Sequence, residues 1–259
     1  MKKKKKIIEN IIFWLIVIGL VGVVVYCGIQ VVPWLINDMQ SQHAVHEVRE
    51  KVHEHAVVED NKFKFTKEAW DDLYAMNPDF LAYMAYDDEF ISEPIVQGTD
   101  NDFYLNHWID GSWDENGTFF FDCTSDMDDT NLTIYGHHIF YTVDARKMTP
   151  LVSLLEQEEY EAHPEFNVWY KDRKARYVIT NIYYWDAVAD QNFPFTQSNF
   201  DNEEDFREYA DFINSRNMIE PNDTLEYGDR FLSLQTCKDL YGSTRIIFRC
   251  KEISSENYN

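Results

Sequence analysis

The sequence predicts a mainly β domain, an antiparallel barrel or sandwich decorated by helices, carried behind one membrane-spanning helix. Three observations lead there. From Ile91 onward, short apolar runs alternate with turn-forming clusters, and no strand–helix–strand rhythm develops. The stretch Phe231 to Arg249, FLSLQTCKDLYGSTRIIFR, reads as a strand ending at Cys237, a loop over Lys238 to Thr244, and a second strand opening at Arg245. Near the start, Ile11 to Ile29 carries no charge, and its length suits a bilayer helix of about 20 residues.

The 259 residues leave room for the span and one domain large enough to bury a sizeable core. With 16 Tyr, 18 Phe and 7 Trp against 9 Gly and 7 Pro, most of the chain is expected to fold. The formal charge is −23 although Lys2 to Lys6 are all basic, so the remainder is strongly acidic and unsuited to nucleic acid. Of four cysteines, Cys27 falls in the apolar run, leaving Cys123, Cys237 and Cys250. An odd set argues against a disulfide framework. Cys123 and Cys250 either bridge or stay as two buried thiols; both readings leave one thiol over.

Taken in order, Met1 to Lys6 is a basic cap ahead of the apolar run. No small-x-small cleavage site follows the run, and Tyr26 before Cys27 opposes lipoprotein processing, so it reads as an uncleaved signal anchor. Lysines before it and acidic residues after it place the N-terminus in the cytoplasm and the chain beyond Asp38 outside. Asp38 to Val58 is expected to be a helix. It sets His46, Glu50 and His53 on one face, which permits a metal site in principle but equally suits a solvated linker. Thr66 to Tyr86 is expected to continue as helix, capped by Thr66, broken at Asn77 and Pro78, and burying Trp70, Leu73, Tyr74, Phe80, Leu81 and Met84.

Strands follow at Ile95 to Gln97, Phe119 to Phe121, Leu132 to Tyr135, Phe166 to Tyr170 and Tyr177 to Trp185. A short helix is expected over Pro150 to Tyr160. Another covers Glu203 to Met218, where Phe206, Tyr209, Ala210 and Ile213 share a face. The acidic loop Asp126 to Asn131 lacks the ordered ligand spacing of a calcium loop.

A cysteine attacks carbonyls as its thiolate, so it needs a neighbour that stabilises that form. The run LTIYGHH, Leu132 to His138, supplies a candidate base in His137. Arg245 adds a permanent cation with forked donors, able to stabilise an oxyanion. His137, Cys237 and Arg245 therefore form a chemically complete set for acyl transfer.

These motifs together, TIYGHH, then LSLQTC, then the arginine of STRIIF, resemble the sortases, the membrane-anchored cysteine transpeptidases of Gram-positive surfaces. NPDFLAYM at Asn77 to Met84, EPIVQGTDNDFYL at Glu93 to Leu105 and the helix at Glu203 favour class B, and the resemblance covers about Asn77 to Ile253. It implies an eight-stranded sortase β-barrel with N-terminal helices and a long helix before the cysteine strand. The organisation is then a cytoplasmic tail at 1–10, an anchor at 11–35, a helical linker and subdomain at 36–90, and the catalytic barrel at 91–259.

It also implies His137 as base, Cys237 as nucleophile and Arg245 as the third member. Gln235, Thr236 and Tyr241 are then expected against substrate, with no cofactor and no metal. The implied partners are surface proteins or pilins bearing a sorting signal, NPxTx-like by default, and an amine acceptor such as a lipid-linked cell-wall precursor. Many class B members carry Asn where this chain has His138, and often Ser where it has Gln235. The rival readings are a hydrolytic papain-like peptidase, whose cysteine precedes its histidine, and a surface binding protein that keeps the barrel without chemistry.

Overall fold

The computed structural model of the chain describes residues 2–59, 62–140 and 146–257. It divides into two units, Met1–Val45 and His46–Asn259. The first is built from helix α1, Lys2–His55, which continues into the second. Its apolar part includes an 18-residue stretch of mean hydropathy 2.7 with none of it buried, so it is long and apolar enough to cross a membrane.

In the second unit, α1 ends at His55 and is followed by a two-stranded hairpin of β1, Val57–Glu59, and β2, Lys62–Lys64. Helix α2 spans Lys67–Met76, with the Thr66 hydroxyl accepting from the Ala69 amide at 3.3 Å, as its cap position requires. The remaining strands are β3 Phe80–Ala85, β4 Ser92–Val96, β5 Phe119–Phe121, β6 Asn131–Tyr135, β7 Glu165–Tyr170, β8 Arg173–Asp186, β9 Phe231–Cys237 and β10 Thr244–Asn257. They close into a barrel of order β10-β8-β7-β3-β4-β5-β6-β9. Most neighbours are antiparallel; β4–β5 and β6–β9 are parallel. A 3₁₀ turn, Pro150–Leu155, leads into α3, Gln157–Ala162, and α4, Glu203–Asn214, lies in the connection from β8 to β9.

Tyr74, expected on the buried face of α2, is 45% exposed, and a second expectation fails as well. The segment Phe80 to Tyr86, read as the second half of a helix, is instead the barrel strand β3 followed by a turn. Five of its six strand residues are buried, so it shows no polar alternation. A short apolar run of that kind cannot be told from a buried helix by periodicity. Pairing with β4 on one side and β7 on the other decides it.

Alternation along the strands sorts the core into two layers. Leu232 and Leu234 of β9, and Ile246, Phe248 and Cys250 of β10, join Ile134 and Ile179 in the barrel interior. Phe231 and Ile247 face outward and pack beneath α4 with Tyr183, Phe206, Tyr209 and Ile213. Arg249, fully buried in that outer layer, donates from Nη2 to the Tyr183 hydroxyl at 2.8 Å and to the Phe195 carbonyl at 2.7 Å. The functional stretch ends on this same outer face.

Candidate active site

The ends of three strands meet at one rim of the barrel. Tyr135 of β6 lies opposite Gln235 of β9 in parallel register, and Cys237 lies opposite Arg245 of β10 in antiparallel register. Where β6 ends, the Gly136 amide donates to the Gln235 carbonyl at 3.2 Å, and the Thr236 hydroxyl donates to the Gly136 carbonyl at 2.8 Å. A side chain at Gly136 would stand 2.9 Å from Met148 and Phe119, so glycine alone lets the chain pass here. These contacts set His137 beside the end of the cysteine strand.

A cavity of about 260 Å³ opens there, with His137, His138, Cys237, Asp239, Glu115 and Asn116 among its walls. His137 Nε2 lies 2.7 Å from the Leu105 carbonyl. A carbonyl only accepts, so this nitrogen carries the proton and Nδ1 holds the lone pair. His138 Nδ1 lies 3.1 Å from the carbonyl of Cys237, and its ring centre is 4.0 Å from that of Phe140. Burial pulls the His137 imidazole below the usual histidine range; the Leu105 carbonyl opposes the shift and the Lys147 ammonium adds to it. His138 is lowered by burial too, against the Cys237 carbonyl. Both rings therefore favour the neutral, proton-accepting form.

Cys237 is a free, half-buried thiol, and Cys123 and Cys250 are unpaired as well, so no Cys123–Cys250 bridge forms. Burial pushes the Cys250 thiol far up, which leaves it inert. Arg245 shares the face of Cys237 across the strand pair, but its Nη1 donates to the carbonyls of Gly242 at 3.1 Å and Thr244 at 3.3 Å. Its guanidinium is held by its own loop.

The three residues expected against substrate divide. Gln235 is half-buried on the Cys237 face; Thr236 is buried with its hydroxyl committed to Gly136; Tyr241 is 95% exposed on the loop outside the cavity. At the N-terminal end of the second unit, His46 pairs with Glu50 at 3.4 Å while His53 turns to Glu89 at 2.9 Å. Among the described residues, no group of three or more His, Cys, Asp or Glu is placed to hold a metal ion.

Sequence reasoning missed the segment between β4 and β5, which brings Leu105, Glu115 and Asn116 to the site. The available signal was the Asp-Glu-Asn-Gly turn at Asp114 to Gly117. Gly117 has φ +58°, and an added Cβ would collide with the Tyr104 carbonyl and lie 2.7 Å from that of Leu105. Gly117→Ala is therefore expected to cost roughly 3 kcal/mol, read as a lower thermal midpoint for the domain. An unchanged midpoint would show that this segment yields freely.

No protein-family model matches the chain. It is 26% identical over 225 residues to sortase B of Listeria monocytogenes, covering 80% of this chain and 88% of that protein. It is 22% identical to sortase B of Staphylococcus aureus over 238 residues, 90% of this chain and 93% of that one. The crystal structure of Clostridium perfringens sortase B superposes with TM-score 0.64 at 26% identity, covering 71% of this chain and all of that one. The chain is similar to the class B sortases over most of its length. The closed eight-stranded barrel is the sortase fold, and the similarity supports a cysteine transpeptidase.

Proposed function

We propose that the enzyme cleaves a sorting signal of NPxTx type after its threonine through a Cys237 thioester and passes the acyl group to an amine. The amine belongs to a lipid-linked cell-wall precursor or a pilin lysine. The observation that carries this reading is that one cavity at the ends of β6 and β9 holds both Cys237 and His137, with Arg245 paired across from the cysteine.

The Cys237 thiol passes its proton to His137 and, as the thiolate, adds to the threonine carbonyl carbon, and the oxyanion that forms is met by the Arg245 guanidinium after a change of rotamer. The carbon–nitrogen bond breaks as protonated His137 gives its proton to the departing amine, leaving the thioester. An incoming amine adds to the thioester carbonyl, His137 takes its proton, and the Cys237 thiolate leaves. The Leu105 carbonyl fixes the His137 proton on Nε2 and leaves Nδ1 unprotonated, as a base requires, and His137 is the more buried of the two rings. The basic Lys2 to Lys6 and the acidic chain beyond the apolar helix favour an inside N-terminus and an outer catalytic domain.

The test is turnover of quenched NPxTx, LPxTx and SPxTx peptides by the full chain in detergent, with and without an added amine. Amine-dependent ligation of the NPxTx peptide is expected. Cleavage without ligation to any amine would favour a hydrolase, and no cleavage with an alkylation-resistant Cys237 would favour a binding protein. His137→Ala is expected to lower kcat/KM by about 10²–10⁴-fold, and His138→Ala by less than about tenfold. The reverse ranking would transfer the base to His138.

A further inference from the structure

We propose that Lys147 is a positioning residue for His137, fixing the imidazole tautomer by tying down the segment that presents the Leu105 carbonyl. This rests on the reading of His137 as the base. The Lys147 side chain is fully buried. Its Nζ donates to the Gly117 carbonyl at 2.6 Å and sits 3.6 Å above the centre of the Trp108 ring. Both partners belong to the segment that runs from Leu105 back to β5. That segment is closed on itself by the Thr118 amide, which donates to the Tyr104 carbonyl at 3.0 Å. Lys147 thus holds, at two points, the segment that begins at the carbonyl accepting from His137.

The other end of the connection is equally direct. Met148, the next residue, donates its amide to the His137 carbonyl at 3.0 Å, so the chain that carries Lys147 also fixes the histidine backbone. Lys147 itself has φ 58°, a left-handed conformation that lysine adopts at a cost of about 1 kcal/mol. Such a conformation persists where surrounding contacts over-determine it, and here the buried ammonium supplies them.

The charges facing this pair come from several elements. Glu93 of β4 is 1% exposed and lies 3.9 Å from Lys147 Nζ, while its other oxygen takes Arg49 of α1 at 3.3 Å. Asp114 acts on both His137 and Lys147, and Arg146 adjoins Lys147. Burial pulls the Lys147 ammonium below the usual lysine range, Glu93 and Asp114 oppose that shift, and Arg146 and Arg49 add to it. The ammonium in turn disfavours protonation of His137, adding to the effect of burial on the ring. Lys147 therefore acts on the base in two ways, by a hydrogen-bonded support and by its field.

The two are separable by substitution in the full chain in detergent, read by ¹⁵N spectra of labelled histidine and by the pH profile of kcat/KM. The parent is expected to show His137 as a single Nε2–H tautomer above its midpoint. Lys147→Met removes both effects: mixed tautomers, an acid limb moved to higher pH, and kcat about tenfold lower at pH 7 with KM within twofold. Lys147→Gln keeps a donor for Gly117 without the charge, so it should retain the single tautomer and still move the acid limb up. It also carries the test if the methionine variant does not fold.

A single tautomer with an unmoved acid limb in either variant overturns the proposal, as does a mixed tautomer in the parent. The spectra are independent of turnover, so an active His137→Ala enzyme would refute His137 as base while leaving the support of its tautomer to be judged separately.

Discussion

Cys237→Ala is expected to lower peptide cleavage and ligation by at least about 10³-fold while leaving the thermal midpoint of the domain within about 2 °C. Among the described residues lining the cavity, the thiol is the group able to form the acyl intermediate by the mechanism proposed, and it is small and half-buried, so its loss opens little space. Arg245→Ala should fall by about 10²–10³-fold, because an oxyanion loses one charged partner and not its covalent anchor. Arg245→Lys should recover only part of this, since one ammonium does not reproduce the forked donors. Substantial turnover by the alanine variant at 237 would remove the thioester from the reaction, and Cys123, half-buried and unpaired, would then be the thiol to examine.

Arg249→Ala is expected to be the most damaging substitution for stability, costing about 3–5 kcal/mol and lowering the thermal midpoint by roughly 10 °C. The guanidinium lies 5.0 Å from the Tyr209 ring centre, 5.7 Å from Tyr183 and 5.8 Å from Phe231, so it fills the middle of the layer between α4 and the sheet. Truncation leaves a cavity there and strips the Tyr183 hydroxyl of its guanidinium donor, while the Phe195 carbonyl keeps only the Tyr209 hydroxyl at 3.2 Å and the Asn131 amide at 3.4 Å. Arg249→Met should cost less, about 1–2 kcal/mol, because it keeps most of the volume and removes a buried charge. Equal losses in the two variants would mean that the hydrogen bonds, and not the packing, hold this layer.

The contrast between β3 and α4 shows where sequence reading succeeds. In α4 the helix covers one side of the sheet, so its pattern is one-sided and visible: Phe206, Tyr209, Ala210 and Ile213 are buried, while Arg207, Glu208 and Asp211 between them face water. In β3, FLAYMA is covered on both faces, by the barrel interior on one side and on the other by Phe65, which stacks on Tyr83 with ring centres 4.5 Å apart. Burial on both faces erases the alternation that identifies a strand. The Cys237 strand, its loop and the Arg245 strand were legible because they are adjacent in the chain and pair as a hairpin.

By itself the sequence determined the apolar span, the cysteine–arginine hairpin, the glycine–histidine turn after β6 and the family to which they point. All of these are local patterns, set by residue type and near-neighbour spacing. Only the tertiary structure decided that His137 Nε2 donates to the Leu105 carbonyl, that His138 turns to the Cys237 carbonyl, that Thr236 is spent on Gly136, and that Lys147 ties down the segment running from Leu105 to Gly117. Each of these depends on the parallel pairing of β6 with β9 and on the segment folded over it. Such contacts join residues distant in the chain, and their register is set by closing the barrel, where a shift of one residue would turn every side chain to the other face.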